Sequence, residues 1–185
     1  MFKDKNILIG ITGGISAYKA CDIISSLKYK GANIHVIMTE NSTKFITPLT
    51  LETLSKNKVY ISMFDCEYEK EVTHIALAQQ ADLVLIAPCS ADIIGKIANG
   101  IADDLLTTTL IATKAPIVIC PAMNDNMYSN LIVQYNINKL KRHGYKFIEP
   151  DTGNLACGYV GKGKLAKKET IIEYLEKILG GKEND

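Results

Sequence analysis

Six short apolar runs punctuate the chain and alternate with longer segments of mixed polarity. Asn6 to Thr12, Ala32 to Thr39, Val59 to Phe64, Leu83 to Ala87, Ala115 to Cys120 and Tyr145 to Glu149 read as strands, the third weaker than the rest. Leu83 to Ala87 and Ala115 to Cys120 carry almost no polar positions, the mark of strands buried on both faces. Between these runs, Ile15 to Tyr29, Ser42 to Leu54, His74 to Gln80, Asp92 to Thr113 and Asn130 to His143 show helical spacing, and Lys167 to Leu179 is amphipathic. Gly31 and Gly144 fall where helices stop, Pro48 is a break or a start, and Gly95 and Gly100 interrupt the long fourth segment. Strand and helix alternate without internal repeat, linker or low-complexity stretch. That order predicts a parallel sheet of about six strands covered on both sides. Right-handed crossovers then make it a three-layer α/β/α, doubly wound, Rossmann-like domain. It is expected to span residues 1–180, with 181–185 a frayed tail.

Composition narrows the function classes. A chain of 185 residues is long enough to bury a real core. A net charge of +1 gives no electrostatic case for nucleic acid or a membrane surface. No apolar stretch approaches the ~20 residues a bilayer span needs. Met1-Phe2-Lys3-Asp4-Lys5 carries charge but no apolar signal region, so a cytoplasmic protein is expected. The five cysteines are scattered without CxxC or Cys/His spacing, which predicts no metal site and reduced, mostly buried thiols.

In an open parallel sheet, ligands bind just beyond the carboxyl ends of the strands. The turns after the apolar runs are therefore the candidate sites. Gly10-Ile11-Thr12-Gly13-Gly14-Ile15-Ser16 joins the first strand to the first helix. Its glycines let backbone approach a phosphate, and the helix start offers N–H groups and a positive dipole end. A tight turn with ordinary capping would use the same residues. This is not a full G-x-G-x-x-G fingerprint. The second strand runs into Met38-Thr39-Glu40-Asn41-Ser42, a cluster suited to phosphate oxygens rather than to a ribose diol. A mononucleotide such as FMN fits better than NAD.

Pro88-Cys89-Ser90-Ala91-Asp92 follows the fourth strand, where Ser90 and Asp92 can cap a helix and touch a ligand at once. Pro121-Ala122-Met123-Asn124-Asp125-Asn126-Met127 follows the fifth, and its proline ends the pairing. Asn124 has two donors and an acceptor for polar readout, with Met123 and Met127 either closing over a flat ligand or serving as core. His74 opens a helix, where the dipole favours its neutral, proton-accepting form; a lone histidine is more often a surface or capping residue, and spacing alone does not lift it above that. Ala156-Cys157-Gly158-Tyr159-Val160-Gly161-Lys162-Gly163-Lys164 is too glycine-dense for a core and too basic for a simple hairpin. It reads as a lid carrying a reactive thiol favoured by Lys162 and Lys164, or as a mobile loop with an incidental cysteine.

Together these residues resemble the homo-oligomeric flavin-containing cysteine decarboxylases, from Ile7 to about Leu179. Three motifs carry the resemblance: the turn from Gly13 to Lys19, the run Pro121-Ala122-Met123-Asn124-x-x-Met127, and the loop Ala156-Cys157-Gly158-x-x-Gly161-x-Gly163. The resemblance implies FMN as cofactor, held by Gly13, Gly14, Ile15, Ser16, Thr39, Glu40, Asn41, Ser90, Ala91, Asp92, Ile93 and Ala122. It implies His74 and Cys157 as catalytic residues. Asn124 would hold the substrate carboxylate, with Met127 in a clamp over the substrate and Ala156 beside it. The implied substrate is the small molecule 4′-phosphopantothenoylcysteine, and the implied assembly a trimer, alone or built into a dodecamer.

The implied reaction oxidises the substrate's CH₂–SH to a thioaldehyde, which accepts the electron pair left by departing CO₂. The ene-thiol that follows is then reduced to 4′-phosphopantetheine, with no net redox change. The sequence departs from the family pattern at Asp92-Ile93, where Asn-Thr is common, at Tyr128, where Trp is common, and at Lys164, where Arg is common. Relatives fused to a substrate-making ligase are frequent, and a separate decarboxylase is the expectation here. Three rival readings remain: a peptidyl-cysteine decarboxylase that stops at the ene-thiol, a flavin prenyltransferase-like protein, and a non-catalytic regulatory subunit. Cys157 and its glycine loop argue against the first, the run from Pro121 to Met127 and the same loop against the second, and retention of His74, Asn124 and Cys157 against the third.

Overall fold

The computed structural model describes residues 2–64, 73–156 and 158–180. Strands β1 (Asn6–Ile11), β2 (Asn33–Met38), β3 (Val59–Tyr60), β4 (Leu83–Cys89), β5 (Ile117–Pro121) and β6 (Lys146–Phe147) form one parallel sheet in the order β3-β2-β1-β4-β5-β6. Side chains alternate across its pleat, as strand geometry requires. Ile7, Ile9, Ile11, Val36, Leu85 and Val118 pack on one face with α1 (Ala20–Tyr29), α2 (Pro48–Ser55) and α8 (Lys168–Leu179). Leu8, Ile37, Val84, Ile86 and Ile119 pack on the other with α3 (Thr73–Gln80), α4 (Ala91–Ala98), α5 (Leu105–Ala112) and α7 (Leu131–Arg142). The expected three layers are present. No helix among the described residues is long and apolar enough to cross a membrane.

The departures from the sequence reading are local and have physical causes. The segment from Ser42 splits into a 3₁₀ turn at Glu40–Lys44 and α2, whose first residue is Pro48; the proline is a start. The segment Asp92 to Thr113 splits into α4 and α5. Gly95 sits inside α4 and interrupts nothing. Gly100, at φ +67°, makes the break, and Asp104 starts α5: its carboxylate accepts from the Thr107 N–H at 2.7 Å, while the Thr107 hydroxyl accepts from the Asp104 N–H. The third and sixth strands pair over two residues each.

The glycine-rich loop needs correction. Val160–Lys164 is a strand, β8, paired antiparallel with β7 (Asp151–Asn154). Its basic side chains did not prevent a hairpin because Lys162 and Lys164 stay exposed, while buried Gly163 lies between them.

Candidate functional site

The sheet order turns back between β1 and β4, so the chain leaves these neighbours in opposite directions and a crevice opens beyond their ends. Thr12 ties its walls together. Its hydroxyl donates to the Pro88 carbonyl at 2.9 Å and accepts from the Ser90 N–H at 2.9 Å. A cavity of about 550 Å³ lies here. Gly13, Gly14, Ile15 and Ser16 line it after β1; Ser90 and Ala91 after β4; Ala122, Met123, Asn124 and Met127 after β5. The hairpin contributes Ala156 and Gly163 among others.

The first turn meets the turn after β2 at Gly13. A Cβ there would sit 2.7 Å from the Asn41 Cβ, whereas a Cβ on Gly14 meets nothing within 4 Å. Two residues before Asn41, at the cap of the 3₁₀ turn, the Thr39 hydroxyl is buried without a hydrogen-bond partner among the described residues. Such a group costs about 1–3 kcal/mol unless something fills its bonding capacity. A phosphate oxygen is chemically suited to do so.

The hairpin lies flush against the turn after β5. The Met123 N–H donates to the Gly163 carbonyl at 3.0 Å. A methyl group on Gly163 would overlap the Met123 carbonyl oxygen, and one on Gly161 would come within 2.8 Å of Asp125 Oδ2. Two glycines with one residue between them are thus what close approach requires. It brings the Tyr159 Oη to 2.8 Å from Asn124 Nδ2 and 2.6 Å from Asp125 Oδ1. The other end of the Asn124 amide, Oδ1, accepts from the Asn126 N–H at 2.9 Å and caps α6 (Asp125–Ser129).

Charge is concentrated on two sides. Lys19 and Lys164 line the cavity, and the Lys19 ammonium is held below its ordinary value by burial and by the charge of Lys164. Behind the hairpin, Glu149 accepts from Tyr128 and pairs with Lys141 at 2.9 Å and Lys162 at 3.2 Å. Burial alone would raise its carboxyl; the hydrogen bonds from Tyr128, Lys141 and Lys162 outweigh that and hold it at about 2. Tyr128 is buried beneath the Lys162 ammonium and does not line the cavity. Cys89 and Cys120 are buried at the strand ends, where burial pushes both thiols up. No group of His, Cys, Asp and Glu among the described residues is arranged to hold a metal.

The expected site residues divide clearly. Gly13, Gly14, Ile15, Ser16, Ser90, Ala91, Ala122, Asn124, Met127 and Ala156 share the cavity wall. Asn41 reaches its edge through the Gly13 contact, with Thr39 and Glu40 preceding it in the chain and outside the lining. Asp92 and Ile93 are not brought there. Asp92 is exposed, and Ile93 is buried in the core with its N–H given to the Ser90 hydroxyl. His74 is half-buried on α3, outside the lining of this cavity. Cys157 lies outside the described residues. Sequence reasoning missed Thr12, Lys19 and Tyr159. Lys19 was detectable, because three residues from Ser16 in a 3₁₀ turn places both on one side. Nothing local marked Tyr159.

A model of the Flavoprotein family matches residues 1–180. The coenzyme A biosynthesis bifunctional protein CoaBC of Bacillus subtilis is 50% identical over 177 residues, 96% of this chain and 44% of that protein. The chain therefore spans less than half the length of this relative. The probable phosphopantothenoylcysteine decarboxylase of Streptococcus mutans is 45% identical over 95% of this chain and 99% of its own length. Among solved structures, a cysteine-to-serine mutant of PPC decarboxylase complexed with pantothenoylaminoethenethiol superposes with a TM-score of 0.86 at 28% identity, covering 96% of this chain and 100% of the other. The FMN binding protein AtHal3 gives 0.84 at 27%, covering 98% and 100%.

Proposed function

The chain belongs to the Flavoprotein family, and we propose that it binds FMN and decarboxylates 4′-phosphopantothenoylcysteine to 4′-phosphopantetheine, a reaction of coenzyme A synthesis. One observation carries this reading. A single cavity at the turning point of the sheet gathers three motifs far apart in sequence: the Gly13 turn, the Asn124 turn and the glycine hairpin. The names of the relatives support the same reaction. The cavity and the turn beside it fit FMN, since Gly13 leaves no side chain in the way and Thr39, next to that turn, offers a buried hydroxyl with no partner among the described residues. Gly13 to Ser16, with Thr39 to Asn41, would hold the phosphate, and Ser90, Ala91 and Ala122 would border the ring.

Bound flavin would supply the two-electron acceptor that the thiol-bearing carbon needs before CO₂ can leave, and return the electrons afterwards. The protein's own groups do the rest. Asn124 donates from its amide nitrogen to the departing carboxylate and sets the direction of the breaking bond. His74 takes the thiol proton. Cys157 protonates the ene-thiol carbon at the end. An ethenethiol held by a PPC decarboxylase lacking one cysteine is the compound expected to persist without that proton, which supports the assignment. The hairpin excludes water from the cavity. Lys19 and Lys164 give an anionic substrate its countercharge.

Because His74 lies away from this cavity within one chain, the reaction calls for a homo-oligomer, a trimer or a dodecamer of such trimers, in which a neighbouring copy delivers it. Leu49, Leu131 and Ile132 stand exposed and suit contacts between copies. The test is direct: purify the protein, record its absorbance, and supply 4′-phosphopantothenoylcysteine. A flavin spectrum with release of CO₂ and 4′-phosphopantetheine is expected. A colourless protein, or one that releases neither product, overturns the proposal.

A further inference from the structure

We infer that Tyr159, acting with Asp125, is a positioning residue that fixes which end of the Asn124 amide meets the substrate carboxylate; this rests on the reading of Asn124 as the carboxylate grip. A side-chain amide has a donor end and an acceptor end. Only the nitrogen attracts a carboxylate, and a flipped amide repels it. Something must therefore hold Asn124 one way round.

Two independent contacts do so. At 2.6 Å, Tyr159 Oη and Asp125 Oδ1 share one hydrogen bond, and only the phenol can supply its proton, because a carboxylate has none to give. The phenol oxygen is thereby left as an acceptor toward Asn124. The group that meets it at 2.8 Å is Nδ2. At the other end, the Asn126 N–H is a donor and meets Oδ1 at 2.9 Å. Flipping the amide would set acceptor against acceptor at Tyr159 and donor against donor at Asn126.

The same proton has a second consequence. Asp125 follows Asn124 directly in the chain, so its carboxylate stands close to where the substrate carboxylate is gripped. The Tyr159 hydroxyl engages the Asp125 oxygen and weakens the repulsion between two like charges. The backbone makes this possible. Gly161 and Gly163 let β8 lie against Met123 and Asp125, and Gly158, at φ +93°, turns the chain just before Tyr159.

The test compares two ligands that differ by the carboxylate. In the FMN-loaded enzyme, Tyr159→Phe keeps the ring and removes the hydroxyl. Its kcat/KM for 4′-phosphopantothenoylcysteine should fall by about three- to tenfold, the worth of one hydrogen bond. The inhibition constant of 4′-phosphopantetheine, which lacks the carboxylate, should not change. Tyr159→Phe combined with Asn124→Ala should be no worse than Asn124→Ala alone, because Tyr159 acts through Asn124. Equal weakening of both ligands would mean a damaged hairpin and overturns the inference, as does an unchanged kcat/KM. If the unsubstituted enzyme releases CO₂ and Tyr159→Phe matches it, only this inference falls. If the unsubstituted enzyme releases none, the functional reading falls and takes this inference with it.

Discussion

Asn124 serves structure and ligand with the two ends of one amide. Its oxygen caps α6 and its nitrogen side faces Tyr159 and the cavity. The two duties separate in Asn124→Asp. Aspartate is as good a cap as asparagine, and the exposed bond it loses to Tyr159 is worth about 0.5–1.5 kcal/mol, so the melting temperature should fall by only a few degrees, about 2–4 °C per kcal/mol. A carboxylate about 4 Å from the substrate's own costs on the order of 4 kcal/mol at an intermediate dielectric. A fall in kcat/KM of at least about a hundredfold is expected from initial rates. Thr39 makes the reverse case, a residue whose local environment is unfavourable without a ligand. Thr39→Val removes a buried hydroxyl that has no partner. The FMN-free protein should melt at the same temperature or higher, while FMN affinity measured by fluorescence titration drops by about tenfold or more, the loss of a hydrogen bond to a charged group. Unchanged FMN affinity would remove Thr39 from the site.

Among the elements, the hairpin shows most clearly how packing overrules local preference. Val160–Lys164 alternates glycine with lysine and valine and has no apolar face to signal a strand. It is a strand because its backbone bonds to β7, the other arm of the same hairpin, on one side and to Met123, far back in the sequence, on the other. Glycine spacing near Cys157 was visible; its purpose, close approach to Met123 and Asp125, was not. Gly163→Ala should destabilise the fold by about 1–3 kcal/mol in urea titration, as overpacking does. Gly14→Ala should cost far less, because open space surrounds that position. The central strands tell the opposite story. Leu83 to Ala87 was legible because burial on both faces demands apolar residues throughout. The split between α4 and α5 was half legible. Two glycines competed to mark it, and the capping pair Asp104 and Thr107 decides the start of the second helix.

For the molecule as a whole, Glu149 fastens the hairpin to the main body. It joins Tyr128 of α6, Lys141 of α7 and Lys162 of β8. Its carboxyl is depressed from 4.5 to about 2 in the folded chain. A depressed carboxyl stabilises the fold fully above its unfolded value and ceases to do so as pH falls through the folded one. Wild-type protein should therefore melt higher than Glu149→Gln at neutral pH, and the two melting temperatures should converge as pH falls from about 4.5 to about 2. With half its side chain exposed, Glu149 is partly screened, so the gap should also shrink with added salt. Curves that stay parallel across this range would exclude Glu149 as the fastening.

By itself, the sequence determined the layered sheet and where ligand chemistry would gather. Apolar runs, glycine turns and capping residues act over a few neighbours, and the carboxyl ends of parallel strands converge by topology alone. Three things were decided only by the tertiary structure. Thr12 locks β1 to β4 across the crevice. Gly161 and Gly163 seat a hairpin on the Asn124 turn. Asp92, Ile93 and His74 stay outside one chain's cavity wall. Each depends on which distant segments pack together, and burial against a remote partner leaves no imprint on neighbouring residues.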